Sequence, residues 1–194
     1  MNFLAHLYLS GDNQEIMVGN FIADHIKGRA INNFSNKIQD GIRFHREIDH
    51  FTDSNPLILD AIARLRPGYR KYAGVVMDMY CDHFLAANWS DWSGKALKIF
   101  TSECYEVLMQ YHDYLPERTR YMLHYMIKDD WLSAYAREEG ISRALSGMSR
   151  RTTFNSNLEN AVETLKADYG FYHDIFNRFF PQLIVFSRDY LQKQ

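Results

Sequence analysis

Apolar residues recur at three- and four-residue intervals along most of this chain, and no stretch alternates apolar with polar as a half-buried strand does. Phe3, Leu4 and Leu7 form one stripe over residues 2–9, with His6 at its border, and Gly11-Asp12-Asn13 breaks it. A second helix is predicted over about 14–27, carrying Ile16, Met17, Phe21 and Ile22 and closed by Gly28 as its C-terminal glycine. Ser35 stands where it can cap a third, about 36–52, which turns Ile38, Ile42 and Ile48 inward. Asn55-Pro56 opens a short fourth helix, because proline at the first helical position gives up no needed N–H. Pro67-Gly68 is expected to end it. The fifth segment, about 69–87, is the most apolar in the chain and reads as a central helix. Further helices are predicted at about 93–113, 117–137 and 138–147, and a last segment at about 155–193 is expected to bend or split at Gly170 and Pro181. The fold class is all-α, a single-domain helical bundle.

Composition agrees with that reading and removes several functions. A chain of 194 residues suits one domain with a real core, and four Pro and ten Gly are too few for a turn-rich β fold. Thirteen Tyr and thirteen Phe supply bulky core and groove lining. The net charge of −2 gives no general electrostatic case for nucleic acid. Cys81 and Cys104 are read as reduced, buried thiols. No run approaches the ~18 apolar residues of a membrane span, and the start has no basic leader, so no membrane partner and a cytoplasmic location are expected.

Chemistry gathers in the first half. Five of the eight His (6, 25, 45, 50, 83) and nine of the 15 Asp fall within the first 91 residues. His45, Asp49 and Asp53 are spaced to run down one face of the third helix. Asp78 and Asp82 repeat the four-residue spacing on the apolar fifth helix, with His83 directly after. Acids on a core helix need a cation, hydrogen bonds or a metal. Imidazole and carboxylate without thiolate suit a divalent ion such as Mn²⁺, Fe²⁺, Zn²⁺ or Mg²⁺. Such an ion activates water and polarises a phosphoryl oxygen. The alternative for any single pair is a helix-surface hydrogen bond. The His112-Asp113 and His173-Asp174 dipeptides are weak motifs by comparison, and no nucleophile elbow, phosphate loop or paired-cysteine motif is present.

Four ordered blocks, MNFLAHLYLS at the start, GNFIADHIKG (19–28), GIRFHREIDHFTDSNP (41–56) and VVMDMYCDHFLA (75–86), resemble the acyl carrier protein phosphodiesterase family. The resemblance implies a helical fold related to the HD-domain metal phosphohydrolases. It also implies a Mn²⁺-dependent enzyme that removes 4′-phosphopantetheine from holo-acyl carrier protein. In the HD pattern His6 supplies the first ligand, Asp24 the acid of the His-Asp dyad and Asp82 the distal acid. Ala23 stands where the dyad histidine belongs, and His45 is the residue that fills the gap.

The expected metal ligands are therefore His6, Asp24, His45 and Asp82. Asp49 and His83 are expected to orient them or to act as general acid and base, and Arg46 to clamp a phosphate oxygen unless it pairs with Asp49 or Glu47. An acidic carrier needs local positive charge, which Arg64, Arg66, Arg70 and Lys71 concentrate, as do Arg143, Arg150 and Arg151. Two alternatives remain: a hydrolase of nucleotides or other small phosphoesters, and a non-catalytic helical binding protein.

Overall fold

The computed structural model describes residues 1–193, and every regular element among them is helical. Three short polar side chains start the first long helices. Asn13 accepts from the Ile16 N–H (3.0 Å) to open α2 (Gln14–Ile22), after the short α1 (Phe3–Leu9). Ser35 accepts from Ile38 N–H (3.3 Å) at the head of α3 (Asn36–Ser54). Asn55 accepts from Leu57 N–H (3.0 Å) to begin α4 (Pro56–Tyr69), with Pro56 in its first turn. There follow α5 (Ala73–Ala87), α6 (Leu97–Gln110), α7 (Glu117–Lys128), α8 (Trp131–Ala134), α9 (Glu138–Ser149), α10 (Ala161–Ala167) and α11 (Tyr169–Leu191).

Several boundaries differ from the sequence reading. The second helix stops at Ile22, tightens into a 3₁₀ turn over Ala23–His25, and lets Ile26 bury itself as an extended residue. Gly28 does adopt a positive φ (53°), but beyond that turn. Pro67-Gly68 does not end α4, which runs to Tyr69; proline in the last turn costs one backbone bond, and buried Leu65 and Tyr69 hold the turn in place. The 117–137 segment breaks where Asp130 takes a left-handed conformation (φ 43°). The C-terminal segment does split, but at Asp168, and Pro181 lies inside α11. Interior proline costs about 3 kcal/mol. Buried Phe176, Phe179, Phe180 and Leu183 offset that, at roughly 1.5–3 kcal/mol each.

Helix α5 is central as expected, with Val76, Met77, Met79, Tyr80, Cys81, Phe84 and Leu85 wholly inside. Helices α2 and α3 pack along much of their length, and their backbones meet at two glycines. A Cβ on Gly19 would lie 2.1 Å from Ile38 O, and one on Gly41 2.3 Å from Ile16 O. That crossing holds Asn20 of α2 beside His45 of α3. Among the described residues no helix is long and apolar enough to cross a membrane.

Candidate metal centre

Helices α1, α2 and α3 bring together His6, Asn20, His45 and Asp49. The imidazoles of His6 and His45 stack with centroids 4.0 Å apart and planes 15° from parallel. Asn20, fully buried, lies against both rings. Its Nδ2 donates to His6 O (2.8 Å) and Ser10 Oγ (2.9 Å), so its Oδ1 must face the imidazoles. That oxygen accepts from His6 Nδ1 (2.7 Å) and His45 Nδ1 (3.1 Å), and the Asn20 backbone oxygen also accepts from His45 Nδ1 (2.9 Å). One amide thus fixes the protons of both histidines on Nδ1 and turns both Nε2 atoms the other way.

Asp49 receives them there. Its Oδ1 is 3.2 Å from His6 Nε2 and its Oδ2 is 3.1 Å from His45 Nε2. One donor atom from each of His6, His45 and Asp49 falls within 4.8 Å of the others. His6 Nε2 is buried without a hydrogen bond among the described residues, although Asp49 Oδ1 lies 3.2 Å away. A buried nitrogen lone pair beside a carboxylate is a good fit for a divalent cation with nitrogen and oxygen ligands. Asp24, delivered by the 3₁₀ turn after α2, stands at the exposed rim with Oδ1 3.3 Å from His45 Nε2.

Charges divide sharply inside the cluster. Burial, reinforced by the neighbouring His45, pushes His6 down to about 4, so it is neutral. Burial also opposes charge on His45, but the hydrogen bonds it donates to Asp24 and Asp49 outweigh that and raise the ring to about 9. Burial works against ionised Asp49 too, yet His45, His6 and the Met1 amine hold it far below the usual carboxylate range. Asp24 is lowered, chiefly by its bond to His45. Without a cation, His45 carries the positive charge that the two acids require.

Four of the expected site residues therefore meet: His6, Asp24, His45 and Asp49. Asp49 sits among the donor atoms instead of behind them. Asp82 does not join. Fully buried on α5, it accepts the N–H of Leu4 (2.8 Å) and Ala5 (3.1 Å) and caps α1, while burial raises it to about 7. His83 also faces elsewhere: Nδ1 donates to Tyr135 O (2.9 Å) and Nε2 meets the Tyr169 hydroxyl (3.4 Å). Arg46 forms no ion pair with Asp49 or Glu47; it is exposed and reaches Ile26 O (3.4 Å). Arg64 is drawn away by an ion pair with Asp168 and packing over the Phe171 ring, 4.3 Å from its centroid. Arg66, Arg70 and Lys71 do share one shallow depression beside Ile62. Sequence reasoning missed Asn20. Its signal was a lone amide inside the apolar run Ile16-Met17-Val18-Gly19-Asn20-Phe21-Ile22, which burial obliges to find partners.

With this geometry in view, the likenesses to known proteins become informative. The family model described as acyl carrier protein phosphodiesterase matches residues 1–183. The chain belongs to that family. Curated relatives of the same name include those of Photorhabdus laumondii subsp. laumondii, 30% identical over 185 residues (95% of this chain and 93% of the relative), and Yersinia pestis, 29% identical with 95% and 96% covered. The protein of that name from Escherichia coli O6:H1 is 31% identical, again with 95% and 96% covered. No solved structure matches the chain, so no structural neighbour bears on the relation to HD-domain phosphohydrolases.

Proposed function

We propose that this protein is a metal-dependent phosphodiesterase that hydrolyses holo-acyl carrier protein to the apo form and 4′-phosphopantetheine. Family membership over residues 1–183 supports the reaction. The observation that carries the metal is the His6–His45–Asp49 cluster with its unpartnered Nε2. His6, His45 and Asp49 hold the ion, with Asp24 as a further oxygen donor at the rim. Mn²⁺ is our choice, with Mg²⁺, Fe²⁺ and Zn²⁺ chemically admissible. When bound, the ion supplies Lewis acidity at a phosphoryl oxygen and an acidified water.

The chain's own groups do the rest. Asn20 keeps both Nδ1 atoms protonated, so each bond to the ion falls to an Nε2, open on neutral His6 and opened on His45 by loss of its second proton. Asp24, ionised and open to solvent, is placed to take a proton from the attacking water. Arg46, exposed beside the cluster, is placed to meet a non-bridging phosphate oxygen. As the water oxygen bonds to phosphorus the bond to the seryl oxygen breaks, and the proton taken by Asp24 is returned to that oxygen, which leaves as the serine hydroxyl. Arg66, Arg70 and Lys71 form the docking surface for the acidic carrier, and the enzyme works in the cytoplasm on this proposal. The test is mass spectrometry of holo-carrier after incubation with protein and Mn²⁺. Loss of the 4′-phosphopantetheine mass, abolished by Asp49→Ala, is expected; an unchanged carrier overturns the proposal.

A further inference from the structure

A cleft of about 780 Å³ opens between the start of α1 and helices α7, α8 and α9. Its volume is that of pockets enclosing a small organic ligand, roughly 300–1,000 Å³. Three observations say what enters it. First, Asp24, whose Oδ1 is 3.3 Å from His45 Nε2, lines it, so the cleft reaches the rim of the cluster. Second, Arg118, Arg143 and Arg151 project along it, and none of them has an ion pair among the described residues. Arg118 is the arginine at the metal end, since the next residue, Thr119, places its hydroxyl 2.6 Å from Nδ1 of His25, the neighbour of Asp24. Third, the space between them is lined by flexible or flat apolar groups, including Met122, Trp131 and Met148.

Gly147 sharpens the point. It lies inside α9 on the cleft wall, with ordinary backbone angles and nothing within 4 Å of an added Cβ. Neither a turn nor a close helix contact asks for glycine there, and glycine weakens a helix interior. Gly140, on the same wall, is different: its Cβ would lie 1.9 Å from Ala134 O, which explains it by packing. What Gly147 provides is room in the cleft.

We propose that the α7–α9 cleft seats the pantetheine arm of the substrate, its phosphate at the Asp24 end within reach of Arg118 and its uncharged chain along Gly147 and Met148. This assignment rests on the reading of the protein as a carrier-protein phosphodiesterase. A thin, flexible, mostly uncharged chain ending in a phosphate matches an apolar trough flanked by free guanidinium groups and open at one end to a metal centre. The same cleft retains the arm after cleavage, so free 4′-phosphopantetheine acts as a competitive product inhibitor.

The test fills the cleft without disturbing the fold. Gly147→Phe places a ring where the structure has open space, so its melting temperature is expected at or above that of the parent. Its KM for holo-carrier and its inhibition constant for free 4′-phosphopantetheine should rise together, on the order of tenfold. The double variant Arg143→Ala/Arg151→Ala, altering only exposed side chains, should raise the same two constants. It keeps the test open should the first variant fold poorly. Ile99→Phe, at an exposed position of α6 that lines neither cleft nor cluster, should change neither. If the parent cleaves holo-carrier but both constants stay put in the cleft variants, the cleft assignment is wrong and the enzymatic reading stands. If the parent with Mn²⁺ releases no 4′-phosphopantetheine, both fall.

Discussion

Removing the Asn20 amide should expose how far the metal centre depends on a residue that touches no metal. In Asn20→Ala, His45 keeps its bond to the residue-20 backbone oxygen (2.9 Å), and Ser10 Oγ keeps its donation to His6 O (2.8 Å). His6 Nδ1 loses its partner at 2.7 Å in a side chain that is almost wholly buried. An orphaned buried donor costs about 1–3 kcal/mol, and each lost ordinary hydrogen bond about 0.5–1.5 kcal/mol more. Together they predict a loss on the order of 3 kcal/mol, or a fall in Tm of roughly 6–12 °C for a chain of this size. His6 has one escape: to move its proton to Nε2, where Asp49 Oδ1 lies 3.2 Å away. That tautomer has no lone pair left on Nε2, the nitrogen that faces the cluster, so Mn²⁺ affinity should fall roughly 10–100-fold as well. Urea denaturation of the metal-free protein and calorimetric Mn²⁺ titration measure the two effects separately. Asn20→Asp keeps an acceptor at this position and should retain more metal affinity than the alanine variant. An alanine variant that loses stability but binds Mn²⁺ as the parent does would refute the tautomer argument, leaving Asn20 as core packing alone.

His45 ties metal binding to pH. Its metal-free value of about 9 lies above the ordinary 6.5, so the stability it contributes is full below about pH 6.5 and fades as pH rises through about 9. A cation needs the same nitrogen unprotonated, so Mn²⁺ affinity should climb over that window with release of about one proton per ion near neutrality. Calorimetry in buffers of different ionisation enthalpy reads that number, and zero release would exclude His45 as a ligand. Asp82→Ala strips the acceptor from two buried N–H groups of α1 and should destabilise even metal-free protein by about 2–4 kcal/mol, seen as a lower urea midpoint. Gly41→Ala should do comparable harm by forcing α2 off α3, and metal affinity should drop with it; a variant of unchanged Tm contradicts the helix contact. Arg66→Glu/Arg70→Glu should raise KM for the carrier, most at low salt, with kcat little altered; a KM insensitive to both charge reversal and salt removes the docking surface.

The helices were legible because their apolar stripes and caps are local. Asn13, Ser35 and Asn55 each act on an N–H two or three residues away, and such spacing is visible in a sequence. Ends decided by packing were not. Pro67 and Pro181 stay helical because of side chains buried against other elements, which no local rule reports. The site divides in the same way. His45 and Asp49 share a helix face, so their pairing follows from a four-residue spacing. Asp82 was read correctly as an acid on a core helix that must be neutralised. A carboxylate meets that need equally well with a metal or with two backbone N–H groups at a helix start, and spacing alone does not separate the two. Asn20 bonds across 14 and 25 residues of sequence, a distance over which periodicity says nothing.

Because Gly19 and Gly41 let two main chains touch, the spacing between Asn20 and His45 is set by backbone against backbone, with no side chain to be exchanged between them. Substitutions in the later helices therefore have little leverage over the cluster, while those helices form most of the cleft wall. On the proposed assignments, metal binding and the grip on the arm are thus carried by separable stretches of one polypeptide. Descendants of such a chain can alter how tightly the arm is held by rewriting residues after about 115, with the ligand cluster left untouched. A chimera that takes α7–α9 from a relative should inherit the donor's affinity for free 4′-phosphopantetheine and the recipient's metal affinity.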